Sequence, residues 1–162
     1  TGKEGAEDEY TYVVDGKNAT LNDAEITSGK AVIPDTVTND EQERDVTRIA
    51  AKAFKDNENL KKLVIGNKVK VIGASAFADC DNLKNVKIGS GIEKICANTF
   101  DGSQQLKKIV IDVSSLKKVG KKAFRGISEK AVIRLKGTKK QKNKARKLIE
   151  KSGVAKTVRI VG

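Results

Sequence analysis

The 162-residue chain contains no histidine, no tryptophan and no methionine, one proline and two cysteines. Each absence closes off chemistry. Without histidine there is no imidazole general base, no Ser-His-Asp or Cys-His nucleophile and no His-containing zinc site. Two cysteines make neither a four-cysteine zinc site nor a disulfide-dense scaffold. Two tyrosines and four phenylalanines are the whole aromatic complement, which leaves little for stacking nucleic-acid bases. No apolar run approaches the roughly 20 residues needed to span a bilayer. The length suits one domain with its own core.

Positive charge is what the chain has in excess, and it is unevenly spread. The formal net charge is +12. Residues 1–45 carry 4 basic and 12 acidic side chains, whereas the segment after Ile111 carries 17 basic and 3 acidic ones. Lysine supplies 27 of the cations and arginine six (Arg44, Arg48, Arg125, Arg134, Arg146 and Arg159). Lysine lacks the bidentate fork that reads phosphates and base edges. The charge therefore reads first as a solvated, solubilising surface. Polyanion binding at the C-terminal end is the alternative, and sequence-specific nucleic-acid recognition is not expected.

The chain repeats itself. Phe54, Phe77, Phe100 and Phe124 are spaced by 23, 23 and 24 residues. Ile49, Ile72, Ile95 and Val119 precede them by five positions, and Val46, Val69, Ile92 and Leu116 by eight. Leu60, Leu83 and Leu106 follow the first three by six positions. Then come Leu63, Val86, Ile109 and Ile133, and after them Ile65, Ile88, Ile111 and Leu135. A period kept at so many positions marks a repeat architecture.

One unit can be taken apart physically. Leu60–Ile65 places Leu63 and Ile65 at period two, which predicts a short strand. Gly66-Asn67 breaks it. Val69–Ile72 is a second extended piece, ended by Gly73. Residues 74–78 predict one helical turn, and Asp79-Cys80-Asp81-Asn82 a tight turn. One unit cannot bury its apolar side alone, but stacked units share a core in which each Phe, Leu and Ile forms a ladder. The expectation is an α/β repeat solenoid: a right-handed superhelix of 23-residue repeats with a parallel sheet on one face.

Two segments carry a family resemblance: Leu83 to Phe100, and Ile72-Gly73-Ala74-Ser75-Ala76-Phe77-Ala78-Asp79-Cys80. Both resemble the BspA-like leucine-rich repeat of bacterial surface proteins. The resemblance covers residues 46–135, and the flanks are similar to elements bordering such repeats in secreted proteins of gut Firmicutes. It implies a secreted or wall-attached protein used for adhesion or surface interaction, with no enzyme activity and no cofactor. Ala50 and Cys96 stand where the repeat has Gly73 and Gly120. Asn57, Ser103 and Ile127 stand in the slot of Cys80. These departures read as core drift.

The ends read as caps, giving one structural domain in three parts: residues 1–45, an acidic β-rich cap; 46–135, the repeats; and 136–162, a basic helix–strand cap. Thr1–Glu9 is expected to be poorly ordered. Tyr10–Val14 and Lys17–Leu21 flank Asp15-Gly16 as a hairpin. Ala31–Ile33 predicts a strand stopped by Pro34, and Asn39–Asp45 an acidic loop. Thr138 to Ser152 predicts a helix capped by Thr138 and stopped by Gly153, and Thr157–Val161 a last strand. The chain begins at Thr1 without Met and is expected to be a mature or truncated piece, so a missing signal or anchor says nothing of location.

Smaller motifs read as structural. Cys80 and Cys96 lie at different corners of neighbouring rungs and are expected as buried free thiols. Gly89-Ser90-Gly91 lacks the third glycine and the following helix of a phosphate loop and reads as a repeat turn. Asn18-Ala19-Thr20 is a formal glycosylation sequon without expected consequence. Asp40, Glu41, Glu43 and Asp45 lack EF-hand spacing, so no metal site is expected.

The candidate binding residues are strand positions beside the core, which should stack across repeats about 5 Å apart. One column is Lys62, Asn85, Lys108 and Val132, and the next is Val64, Lys87, Val110 and Arg134. Lys61, Lys84 and Lys107 form a third row of like charges. Lys139, Lys140, Lys142, Lys144, Arg146 and Lys147 are the candidate polyanion contacts. The leading expectation is a monomeric binding module for a protein or glycan at a cell surface, followed by a passive spacer in a larger surface protein and by polyanion binding.

Overall fold

The computed structural model of the protein describes residues 7–162. Its strands are β1 (Glu9–Asp15), β2 (Asn18–Glu25), β3 (Lys30–Ile33), β4 (Thr36–Asn39) and β5 (Gln42–Ile49), then β6 (Lys62–Ile65), β7 (Val71–Ile72), β8 (Asn85–Ile88), β9 (Lys94–Ile95), β10 (Lys108–Asp112), β11 (Lys118–Val119) and β12 (Val132–Lys136). Helix α1 (Lys139–Lys151) and strand β13 (Arg159–Val161) close the chain.

The chain alternates between two sheets, as a solenoid must. One six-stranded sheet runs in the order β13-β12-β10-β8-β6-β3, parallel throughout; it is termed the long sheet because it takes the longer, four- to five-residue strand of each repeat. A second sheet, β1-β2-β5-β7-β9-β11 with β4 beside β5, joins the strands of the N-terminal cap to the two-residue strand of each repeat. It is antiparallel only at β1–β2 and β4–β5. The period-two pattern explains the first sheet. In β6, Leu63 and Ile65 are buried while Lys62 is exposed, and β8 repeats the alternation with Val86 and Ile88 inside.

The third side of each rung corrects the expected helical turn at residues 74–78. No helix forms there. Ser75 and Asp79 take left-handed backbone angles (φ 57° and 55°), as do Lys52 and Asp56 one rung earlier. The amides of Lys52, Phe54 and Asp56 donate to the carbonyls of Ala74, Ala76 and Ala78 at 2.8–3.0 Å. Those of Ser75, Phe77 and Asp79 donate to Ala97, Thr99 and Asp101 in turn. Alternate amides are committed to the next rung, and those between them, Ala76 and Ala78, close turns onto the Gly73 and Ser75 carbonyls, so no donor is left for the i→i−4 bonds of a helix. Rungs approach closely beside this ladder: a Cβ on Gly73 would lie 2.4 Å from the Ala51 nitrogen, so a side chain there forces a backbone shift.

The core lies between the sheets and the phenylalanine ladder. Phe54, Phe77, Phe100 and Phe124 are buried, and successive rings stack at centroid distances of 4.7, 5.6 and 5.6 Å. Beside them, the slot of Cys80 is a hydrogen-bonding position as well as a packing one. The Cys80 thiol donates to the Phe54 carbonyl at 3.1 Å. One rung on, the Ser103 hydroxyl donates to the Phe77 carbonyl at 2.8 Å and accepts from the Cys80 amide at 3.2 Å. Ser103 is therefore a polar replacement with a job, and core drift does not describe it. Burial pushes the Cys80 thiol up to about 12, so it stays protonated and able to donate. Both cysteines are free; Cys80 is buried, whereas Cys96 is only half-buried, short of the burial expected.

At the N-terminal end, Tyr10 and Tyr12 pack against the core. The expectation of poor order for Thr1–Glu9 lies partly outside the described residues, since residues 1–6 are not among them. Asp8 is anchored: its carboxylate accepts from the amides of Thr27 and Ser28 at 2.6 and 2.8 Å. The expected acidic loop at Asn39–Asp45 is instead a hairpin of β4 and β5, turning through Asp40 and Glu41 with φ of 50° and 61°. Asp45 pairs with Lys68 at 2.7 Å. At the C-terminal end, α1 buries Ala145 and Ile149, and Thr138 and Gln141 make a reciprocal capping box. The last strand is shorter than expected, Arg159–Val161 in place of Thr157–Val161. No helix among the described residues is long and apolar enough to cross a membrane.

Candidate interaction surface

The register of the long sheet brings the predicted columns together. Lys62 aligns with Asn85, Asn85 with Lys108, and Lys108 with Val132. Val64 aligns with Lys87, Lys87 with Val110, and Val110 with Arg134. Each column is longer than the sequence suggested. Lys30 and Val32 of β3 extend them at one end, and Arg159 and Val161 of β13 at the other. Those four were missed because neither end keeps the period. Ile33 aligns with Ile65 across 32 residues, the excess being the β4–β5 hairpin, and α1 separates β12 from β13.

The surface is cationic with an apolar seam. Lys30, Lys62, Lys87, Lys108, Arg134 and Arg159 are exposed, Val64, Val110, Val132 and Val161 are half-buried, and Val32 is 47% exposed. Neither column contains an acidic residue. Among the described residues, these six cations form no ion pair, whereas Lys68, Lys117 and Arg125 pair with acids of the preceding rung. A shallow trough of about 460 Å³ runs over β6, β8 and β10, with Lys30, Lys62, Lys87 and Lys108 around Val64 and Val110. Lys61, Lys84 and Lys107 flank it on adjacent rungs, linked by backbone bonds of 2.8 and 3.1 Å.

The C-terminal candidates separate. Lys139, Lys140, Lys144 and Lys147 share one face of α1 with Asn143. Lys142 is half-buried. Arg146 is half-buried and donates to the Ile160 carbonyl, tying the helix to β13. Lys139 and Lys140 also stand in the first helical turn, which carries no acidic residue, where the macrodipole disfavours cations. Gly89-Ser90-Gly91 is a turn between rungs: the Ser90 amide donates to the Asn67 side-chain oxygen at 3.1 Å.

A parallel solenoid of roughly 23-residue rungs, with stacked Phe, Leu and Ile ladders, is a leucine-rich-repeat architecture. The chain belongs to the family of the BspA type leucine rich repeat region, whose model matches six copies over residues 46–145. Solved relatives agree. A leucine-rich repeat protein from Bacteroides capillosus ATCC 29799 is 30% identical, with a TM-score of 0.72 over 79% of this chain and 94% of that one. One from Bacteroides ovatus ATCC 8483 is 25% identical, with a TM-score of 0.66 over 79% of this chain and 36% of that one. A T. pallidum leucine rich repeat protein, 20% identical with a TM-score of 0.63 over 78% of this chain and 68% of that one, shares the fold. No curated protein matches the sequence.

Proposed function

We propose that the chain is a non-enzymatic interaction module of a secreted or cell-surface bacterial protein, and that it binds a protein or glycan through the exposed face of the long sheet. The observation that carries this is the pair of columns. Six rungs hold a continuous, cationic, valine-seamed surface whose charges have no ion-pair partners among the described residues. Lys30 and Lys62 stand directly opposite each other on β3 and β6 and repel by a few tenths of a kcal/mol, and a partner that neutralises the face relieves that repulsion. The family supports the reading, since leucine-rich repeats generally serve as interaction surfaces. The test is an array of matrix proteins and glycans probed with the protein and with its Lys62→Ala/Lys87→Ala/Lys108→Ala variant. Retention by the parent and loss by the variant is expected; equal retention by both sinks the assignment to this face.

A second reading, polyanion binding by α1, is favoured by Lys139 and Lys140 standing against the helix dipole. Retention on heparin that falls steeply with salt, and is lost on Lys140→Glu/Lys144→Glu/Lys147→Glu, is its signature. Elution at low salt, or retention unchanged in that variant, contradicts it.

A further inference from the structure

Resting on the proposal that the long-sheet face binds a partner, we infer the partner's chemistry: an acidic amphipathic helix of another protein, lying across the strands. Three features on that face point to it.

The first is charge. Both columns are free of acids over all six strands, so they complement an anionic surface along their whole length, roughly 24 Å at the usual strand spacing. The second is the apolar seam. Val32, Val64, Val110 and Val161 lie in one column, interrupted by Lys87 and Arg134, while Lys30, Lys62, Lys108 and Arg159 lie in the other, interrupted by Asn85 and Val132, two residues away along each strand. That separation is about 7 Å, which a helix of about 10 Å diameter covers with a single face. A purely anionic chain leaves the valines uncovered, whereas an amphipathic helix sets apolar side chains on them and carboxylates on the lysines. The third is pitch. Side chains in a column repeat every ~4.8 Å. One helical turn is about 5.4 Å, a closer match than the nearly 7 Å between same-side residues of an extended strand.

Lysines, as compact point charges without a planar fork, outnumber arginines four to two in the columns. Such cations attract carboxylate, sulfate and phosphate alike, so the choice of a peptide rests on the valine positions. Aromatic platforms for sugar rings or bases are missing from both columns.

The experiment uses the whole chain and a synthetic amidated peptide of about 18 residues, about 27 Å as a helix, with Glu on one face and Leu on the other. Fluorescence anisotropy should show saturable binding that weakens as salt screens the charges. The peptide's circular dichroism should gain helicity on binding. Lys62→Glu/Lys108→Glu should weaken binding by about tenfold or more, and Val64→Ser/Val110→Ser should weaken it without changing its salt dependence. Lys140→Glu/Lys144→Glu, on α1, should leave it unchanged. Heparin binding in place of peptide binding overturns the inference in favour of a polysaccharide. Peptide binding without helicity, or binding indifferent to Val64→Ser/Val110→Ser, overturns the helical, two-stripe partner. If the array yields a ligand lost in the lysine-to-alanine triple variant while the acidic peptide fails to bind, the face assignment stands and this inference falls.

Discussion

Replacing Phe77 by alanine interrupts the phenylalanine ladder at its centre. Phe77 is fully buried, and its ring lies between Phe54 at 4.7 Å and Phe100 at 5.6 Å, inclined by 23° and 15°. Large-to-small changes at such sites cost about 3–5 kcal/mol, from lost burial and the cavity left behind. A domain of this size holds about 5–15 kcal/mol in all, so the variant should be marginal. Phe124 provides the internal control. It is as deeply buried but stacks on Phe100 alone. Phe124→Ala should therefore cost less than Phe77→Ala by about one ring–ring contact, ~0.5–1.5 kcal/mol. Because solenoid stability is close to a sum of rung and nearest-neighbour terms, Phe77→Ala weakens ring contacts to the rungs on both sides, whereas Phe124→Ala weakens them on one side only. Urea unfolding followed by circular dichroism, with the slope checked for constancy, measures both. A Phe77→Ala cost below about 1.5 kcal/mol, or a Phe124→Ala cost equal to or above it, refutes the ladder as a source of stability.

Three further outcomes follow from named contacts. Ser103→Ala leaves the Phe77 carbonyl and the Cys80 amide without their side-chain partner and should cost about 1–3 kcal/mol; Cys80→Ser keeps a donor and should cost less than Cys80→Ala in the same unfolding assay. Lys139→Glu/Lys140→Glu places favourable charge in the first turn of α1 and should raise stability by about 0.3–1 kcal/mol per site at low salt, read as a higher Tm, with no rise contradicting the dipole argument. Burial opposes ionisation of Asp8, but hydrogen bonds from Ser28 and Thr27 outweigh it and hold the pKa below 3.8. The contribution is thus complete above that ordinary value and is lost as pH falls through the depressed one. Protection of the Thr27 and Ser28 amides, taken relative to their intrinsic exchange rates, should fall in that acidic window, and Asp8→Asn should remove this pH dependence.

The repeat was legible because its burial is periodic. Leu63, Val86 and Ile109 recur every 23 residues and lie in register on adjacent strands, so spacing alone placed Lys62, Asn85 and Lys108 in one column. The ends were not legible to the same depth. The β4–β5 hairpin turns on Asp40-Glu41 rather than on a glycine pair, and pairing with β5 overrides the poor turn preference of those residues. Inserted between β3 and β6, it hides the rung that contributes Lys30 and Val32. The turn at Ser75 failed for another reason. Ala-rich sequence favours helix locally, but bonds from each rung to the next claim the amides that a helix needs. Cys96 was expected inside on residue type alone, although its corner of the rung is partly open.

Binding of a partner by the face of the long sheet can be measured directly. The direct measurement is retention of a matrix-protein and glycan array ligand by the protein and by Lys62→Ala/Lys87→Ala/Lys108→Ala, with urea unfolding confirming that both are folded. Saturable binding by the parent and loss of that binding in the folded variant are expected. Undiminished binding by the variant, or no ligand for either, contradicts binding by this face.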